Sequence, residues 1–114
     1  MNLPTRYLEI CNSFGKRLNQ INPGSTEVAL PKMAALDALE SLNGTSIAVL
    51  GGDVLRYFEQ RLEYVYSNWY CNRLPGEVVL TYVERSRLEA ASYVTTFRAV
   101  GNFEPLFVFV LSDR

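Results

Sequence analysis

The stretch IAVLGGDVLRYFEQRLEYVYSNWYC, residues 47–71, decides how the chain folds. Ile47, Ala48, Val49 and Leu50 read as a buried strand, and Val54, Leu55, Arg56, Tyr57 and Phe58 continue it in β-type residues. Gly51 and Gly52 interrupt that run. Two glycines inside a strand mark a bulge, or a place where another backbone comes close. Glu59 and Gln60 form the tip of a hairpin, although they lack the Asn-Gly pair that favours such turns. The return strand covers residues 62–71. Its period of two puts Tyr64, Tyr66, Asn68 and Tyr70 on one side and Glu63, Val65, Ser67, Trp69 and Cys71 on the other.

Helices are expected on both flanks of this hairpin. Leu3, Tyr7, Leu8, Cys11, Phe14, Leu18 and Ile21 recur at steps of three and four, which predicts one helical face reaching residue 21. Pro4 suits its first turn. Gly15 costs a helix about 1 kcal/mol relative to Ala, so it marks close packing or an early end. Residues 22–25, Asn-Pro-Gly-Ser, are a loop. Pro31 opens a second helix with Met33, Leu36, Leu39 and Leu42 along one side, and Asn43-Gly44 close it. Beyond the hairpin, Leu74-Pro75-Gly76 is a turn. A third helix runs from about residue 77 to 97, with Tyr82, Arg85, Glu89 and Tyr93 as near neighbours. Gly101-Asn102 break the chain. Residues 106–111, LFVFVL, are six apolar residues in a row and are predicted to be a central strand covered on both faces. The order is α-α-β-β-α-β. That order fits an α+β fold, a mainly antiparallel sheet with helices on one face, as a single domain over residues 1–114.

Composition narrows the function. Hydrophobic residues make up 48% and charged residues 20% of 114, which excludes the disordered class. Seven Tyr, six Phe and one Trp exceed what a small core needs. At least two of Tyr57, Tyr64, Tyr66 and Tyr70 are therefore expected on an exposed sheet face. The net charge of −1 leaves no basic stripe for phosphates, so direct nucleic-acid binding is disfavoured. Residues 37–63 hold five carboxylates against two arginines, a net of −3. That is either a solvated acidic surface or a patch for a basic partner. No apolar run approaches the ~20 residues of a membrane span, and the N-terminal residues lack a signal-peptide core. The chain is expected in the cytoplasm, with Cys11 and Cys71 as free thiols.

Little in the chain suggests catalysis. It has no histidine, which removes the commonest general base and the commonest metal ligand. Two cysteines without histidine cannot complete a structural zinc site, and neither metal nor cofactor is expected. Cys71 as a nucleophile would need another base. Asp53, paired with Glu63 or Glu59, is the best acid–base candidate, but an Asp after Gly-Gly also serves to shape a bulge. Gly51-Gly52-Asp53 lacks the remaining residues of a phosphate loop. Trp69 reads as the centre of the core, with an interface role for the Asn68-Trp69-Tyr70 cluster as the alternative.

These motifs resemble immunity protein family forty, small antitoxins of bacterial polymorphic toxin systems. The likeness rests on EVAL at 27–30, the paired-alanine helix at 33–42, IAVLGGDV at 47–54, YSNWYC at 66–71, GE…YVERS at 76–86 and FVFVL at 107–111. GGDV followed by NWYC is the specific pair. The chain departs from the family pattern at Ser67, where an Asp commonly precedes Asn-Trp, and at Val78 and Val79, where a Trp is common. The resemblance implies a cytoplasmic antitoxin that binds the C-terminal domain of a toxin, for example one delivered by contact-dependent growth inhibition. It implies no catalytic residue.

The sequence reading is thus a binding protein that is not an enzyme. It is expected to be a monomer or weak dimer that occludes a toxin, with nuclease favoured because nucleases carry basic clefts. The contact set is expected on residues 51–71: Asp53, Tyr57, Glu59, Glu63, Tyr64, Tyr66 and Tyr70. There the carboxylates would steer a basic partner and the tyrosines would anchor it. Strand parity sets Glu63 opposite Tyr64, so both contribute only at an edge or tip. The rival readings are a small carboxylate enzyme and a self-associating module with the tyrosine face as its contact.

Overall fold

In the computed structural model, which describes residues 2–112, the chain runs α1 (Thr5–Phe14), β1 (Lys16–Arg17), a 3₁₀ turn (Leu18–Gln20), β2 (Val28–Pro31), α2 (Lys32–Ser41), β3 (Val49–Phe58), β4 (Arg61–Tyr70), α3 (Val79–Thr96) and β5 (Leu106–Leu111). The strands form one antiparallel sheet in the order β1-β2-β5-β3-β4. The apolar run LFVFVL is therefore the central strand, and Phe107 and Val108 are fully buried on its two faces. The expected α+β class and the main element order hold.

The three helices share one face of the sheet. Tyr7 and Ile10 of α1, Ala34, Ala35, Ala38 and Leu39 of α2, and Ala90 and Val94 of α3 pack together over Leu30, Val49, Val54, Phe107 and Phe109. Alanines on α2 let it lie close to its neighbours. Met33, expected on the inward side, is 69% exposed, because the buried stripe follows Ala34, Ala35, Ala38, Leu39 and Leu42 instead.

The first helix is shorter than its periodicity predicts. It ends at Phe14, and Gly15 leaves the helix in an extended conformation (φ −86°, ψ 150°). A Cβ at Gly15 would collide with the Val28 side chain and the Cys11 carbonyl, so the glycine marks both an end and a close approach. Leu18 and Ile21 keep the helical spacing but belong to the 3₁₀ turn and its end. They fold over the opposite sheet face onto Ala29, Leu55, Leu62, Leu106 and Val108. Two short strands, β1 and β2, thus extend the sheet where the sequence alone suggested helix and loop.

The glycine pair does both things expected of it. Between Val49 and Gly51 the register against β5 shifts, which makes a bulge. A Cβ on Gly51 would collide with the Trp69 carbonyl, and one on Gly52 with the Val108 carbonyl and the Trp69 ring. Gly52 is thus the gap that lets Trp69 lie across the sheet. The ring stacks on Tyr93 of α3 with centroids 4.4 Å apart and meets Phe109 edge-on at 6.1 Å. Trp69 packs against the core while remaining half-buried.

The hairpin turn is the expected Glu59-Gln60. Both residues have positive φ, 50° and 65°, so the tight two-residue turn forms without the glycine or asparagine it favours. Behind the hairpin, α3 is fixed by polar contacts from the GE…YVERS segment. Arg85 Nε and Nη2 each donate to a Glu77 oxygen at 2.8 Å, and Nη1 donates to Glu89 at 2.6 Å. Tyr82 donates its hydroxyl to the Cys71 carbonyl at 2.6 Å. Ser86, fully buried, accepts from the Val49 amide at 2.9 Å and donates to the Val83 carbonyl at 2.8 Å. These residues are structural: they hold the loop after β4 and the bulged start of β3 against α3.

Candidate functional site

Residues directly opposite each other on paired strands share a face. On the side away from the helices one such row runs Lys16, Ala29, Val108, Asp53 and Asn68. The flanking rows bring Leu106, Leu55 and Tyr64 together, and Val110, Gly51 and Tyr70. The 3₁₀ turn seals the middle of this face over Ala29, Val108 and Leu106 and reaches Leu55 and Leu62 of the hairpin. What remains open is the part of its β3–β4 half that carries Asp53, Tyr57, Tyr64, Asn68 and Tyr70.

The exposures of the four hairpin tyrosines are large: Tyr57 47%, Tyr64 38%, Tyr66 90% and Tyr70 77%. Tyr66 sits in an irregularity of β4. Between the pairs Asp53–Asn68 and Leu55–Tyr64, residues 65–67 stand opposite Val54 alone, and Tyr66 has φ 61°. Two extra residues are an even number, so Tyr64, Asn68 and Tyr70 stay in phase on one face. Because Tyr64 and Tyr70 pair with Leu55 and Gly51, they stand four steps of β3 apart, about 13 Å at the usual rise per residue. Tyrosine and asparagine along such a ridge give large, adaptable contact area at low entropy cost.

The carboxylates are not gathered in one place. Asp53 is half-buried on the tyrosine face, and burial raises its pKa. Glu27, just before β2, is raised by burial and then by the charge of Asp53. Tyr64 is raised by burial and by both these carboxylates, which places the three side chains within electrostatic reach of one another. Among the described residues neither Glu27 nor Asp53 makes an ion pair. Glu63 belongs elsewhere: it faces Arg56 across the hairpin and accepts its Nε proton at 2.8 Å. Glu59 is at the exposed tip. Asp37 and Glu40 lie on exposed positions of α2, and Glu40 meets Arg87 at 3.4 Å. The −3 excess of residues 37–63 is therefore spread over several surfaces. Asp53 is not brought to Glu63 or Glu59, so the acid–base pairs considered from the sequence do not form.

Other chemistry is equally unsupported. Burial raises the thiols of Cys11 and Cys71 above their ordinary range, the opposite of nucleophile activation. No group of three His, Cys, Asp or Glu side chains suited to a metal occurs among the described residues. No described helix is long and apolar enough to cross a membrane. Glu27 is the site residue that sequence reasoning missed. It was visible only as part of the EVAL motif, and its nearness to Asp53 depends on β2 docking across β5.

A second exposed surface lies on the outer side of α3, where Leu80 (66%) and Leu88 (53%) stand among Thr81, Glu84, Glu89 and Ser92. It lacks the aromatic side chains of the hairpin face.

Comparison with known families gives one match: Immunity protein 40, over residues 17–111. The match takes in the strands β2 to β5 and the helices α2 and α3, and begins at the last residue of β1. No curated protein and no solved structure matches the chain. The chain belongs to the Immunity protein 40 family.

Proposed function

We propose that the chain, as a member of the Immunity protein 40 family, binds and neutralises a cognate toxin domain with the open β3–β4 half of its helix-free sheet face. The observation that carries this reading is the ridge of exposed Tyr64, Tyr66, Asn68 and Tyr70 beside two carboxylates that make no ion pair among the described residues. Exposed aromatics at this density are what a protein interface needs and what a solvated surface avoids. Asp53 and Glu27 favour a partner with basic side chains, and a nuclease domain supplies them in its substrate cleft. The chain works by covering that cleft, in the cytoplasm, with no chemistry of its own. An interface of roughly 1,200–2,000 Å² in total suffices for a specific complex.

Co-expression with the toxin encoded beside this chain tests the reading. The two proteins should co-purify, and cells should grow only when both are made. An active toxin that neither binds the chain nor is blocked by it would overturn the proposal. The self-associating alternative predicts a stable dimer in the absence of toxin, which light scattering over a range of concentrations would reveal.

A further inference from the structure

Tyr66 pairs an exposure of 90% with a left-handed backbone at φ 61°. For a bulky residue this is an unusual conformation, and glycine or asparagine would hold it at lower cost. A side chain so exposed gains little packing within the free protein to offset that cost. The surrounding residues show what the geometry achieves. Val65 and Trp69 pack against the helix-side core, while residues 65–67 stand opposite Val54 alone, so the chain must swing outward between them. Tyr66 sits at that point, on the strand that forms one edge of the sheet.

The same bulge interrupts the line of outward backbone groups along β4. An added strand would find no continuous ladder to join, which is a common protection of sheet edges. Recognition here therefore goes through side chains, and the occupant is a folded domain instead of an extended segment or the β4 edge of a second copy. Asp53 and Glu27 on the neighbouring surface, which make no ion pair among the described residues, set the charge of that occupant as positive.

Resting on the toxin-binding reading above, we propose that Tyr66 is the projected anchor of the interface. Its ring enters an apolar pocket on the toxin domain that is rimmed by cationic side chains, and the β4 bulge serves to aim it. The strained backbone is kept because the partner requires a ring at that point.

The test uses the full chain and the toxin domain encoded beside it, with Tyr66→Gly and Tyr66→Phe. Tyr66→Gly relieves the backbone and should raise the folding equilibrium constant about threefold in urea unfolding. It should weaken toxin binding by about 30-fold or more, the hot-spot range. Tyr66→Phe keeps the ring and should bind within about threefold of the parent. If the parent binds and Tyr66→Gly binds equally well, Tyr66 is not the anchor and the toxin-binding reading stands. If Tyr66→Gly is less stable than the parent, the ring supports the fold and the proposal fails. A dimer of the parent that Tyr66→Gly dissolves would assign the surface to a second copy. Failure of the parent to bind overturns both readings.

Discussion

Replacing Ser86 by Ala removes one oxygen at the junction of α3 and the bulged start of β3. In the native fold that oxygen accepts from the Val49 amide at 2.9 Å and donates to the Val83 carbonyl at 2.8 Å. The two losses differ in weight. The Val83 carbonyl has a helical partner four residues on. The Val49 amide is left facing an alanine methyl at a residue that is 0% exposed, where water cannot replace the lost acceptor. An unpaired buried donor costs about 1–3 kcal/mol, and the small change in volume adds little, so about 2 kcal/mol is expected. For a chain of this length that lowers Tm by roughly 8 °C. Urea unfolding followed by Trp69 fluorescence measures the loss, since this single Trp stacks on Tyr93 of the same helix. Hydrogen exchange at the Val49 amide locates it. A variant within about 0.5 kcal/mol of the parent, with Val49 still protected, would refute the reasoning.

Three further perturbations follow from the same structure. Gly52→Ala places a methyl against the Val108 carbonyl and the Trp69 ring, so it should destabilise the fold by about 2–4 kcal/mol and shift Trp69 fluorescence as the stack on Tyr93 is disturbed. Glu77 is held down to about 2 by its hydrogen bonds from Arg85 and the Leu74 amide. Its folded pKa lies below the ordinary value of 4.5, so its contribution is present above pH 4.5 and is lost as pH falls toward 2. Glu77→Gln should flatten that part of the stability–pH curve. Asp53 is shifted the other way, raised by burial, so its ionised form opposes folding at neutral pH. Asp53→Asn should therefore unfold at higher urea than the parent at pH 7, lose that advantage once the pH falls below the carboxylate range, and bind the toxin domain less tightly.

Much of the fold was legible because strong local patterns agreed with the tertiary arrangement. Six consecutive apolar residues at 106–111 predict a central strand, and they lie between β2 and β3. The glycine pair announced a bulge because only glycine fits where the Trp69 and Val108 carbonyls approach. What failed did so for physical reasons. Leu18 and Ile21 keep a helical spacing beyond Gly15, but the 3₁₀ turn carries them to the opposite side of the sheet, Leu18 buried and Ile21 half-buried. Spacing alone cannot tell these cases apart. β1 has two residues and β2 four, so their pairing comes from docking beside β5 and not from local propensity. The β4 bulge left no trace in the alternation of Tyr64, Asn68 and Tyr70, because two added residues restore the phase. The candidate site was legible in its tyrosines and in Asp53. It was illegible in Glu27, whose part depends on a strand the sequence did not reveal, and in the dispersal of Glu59, Glu63, Asp37 and Glu40 over separate surfaces.

We propose that the toxin is met by the open β3–β4 sheet face and not by the outer side of α3. Hydrogen–deuterium exchange of the chain, free and bound to its toxin domain, tests this directly. Exchange should slow over residues 51–70, centred on the irregular segment 65–67, with no change over residues 80–92. Slowed exchange around Leu80 and Leu88, with residues 64–70 exchanging as in the free protein, would contradict it.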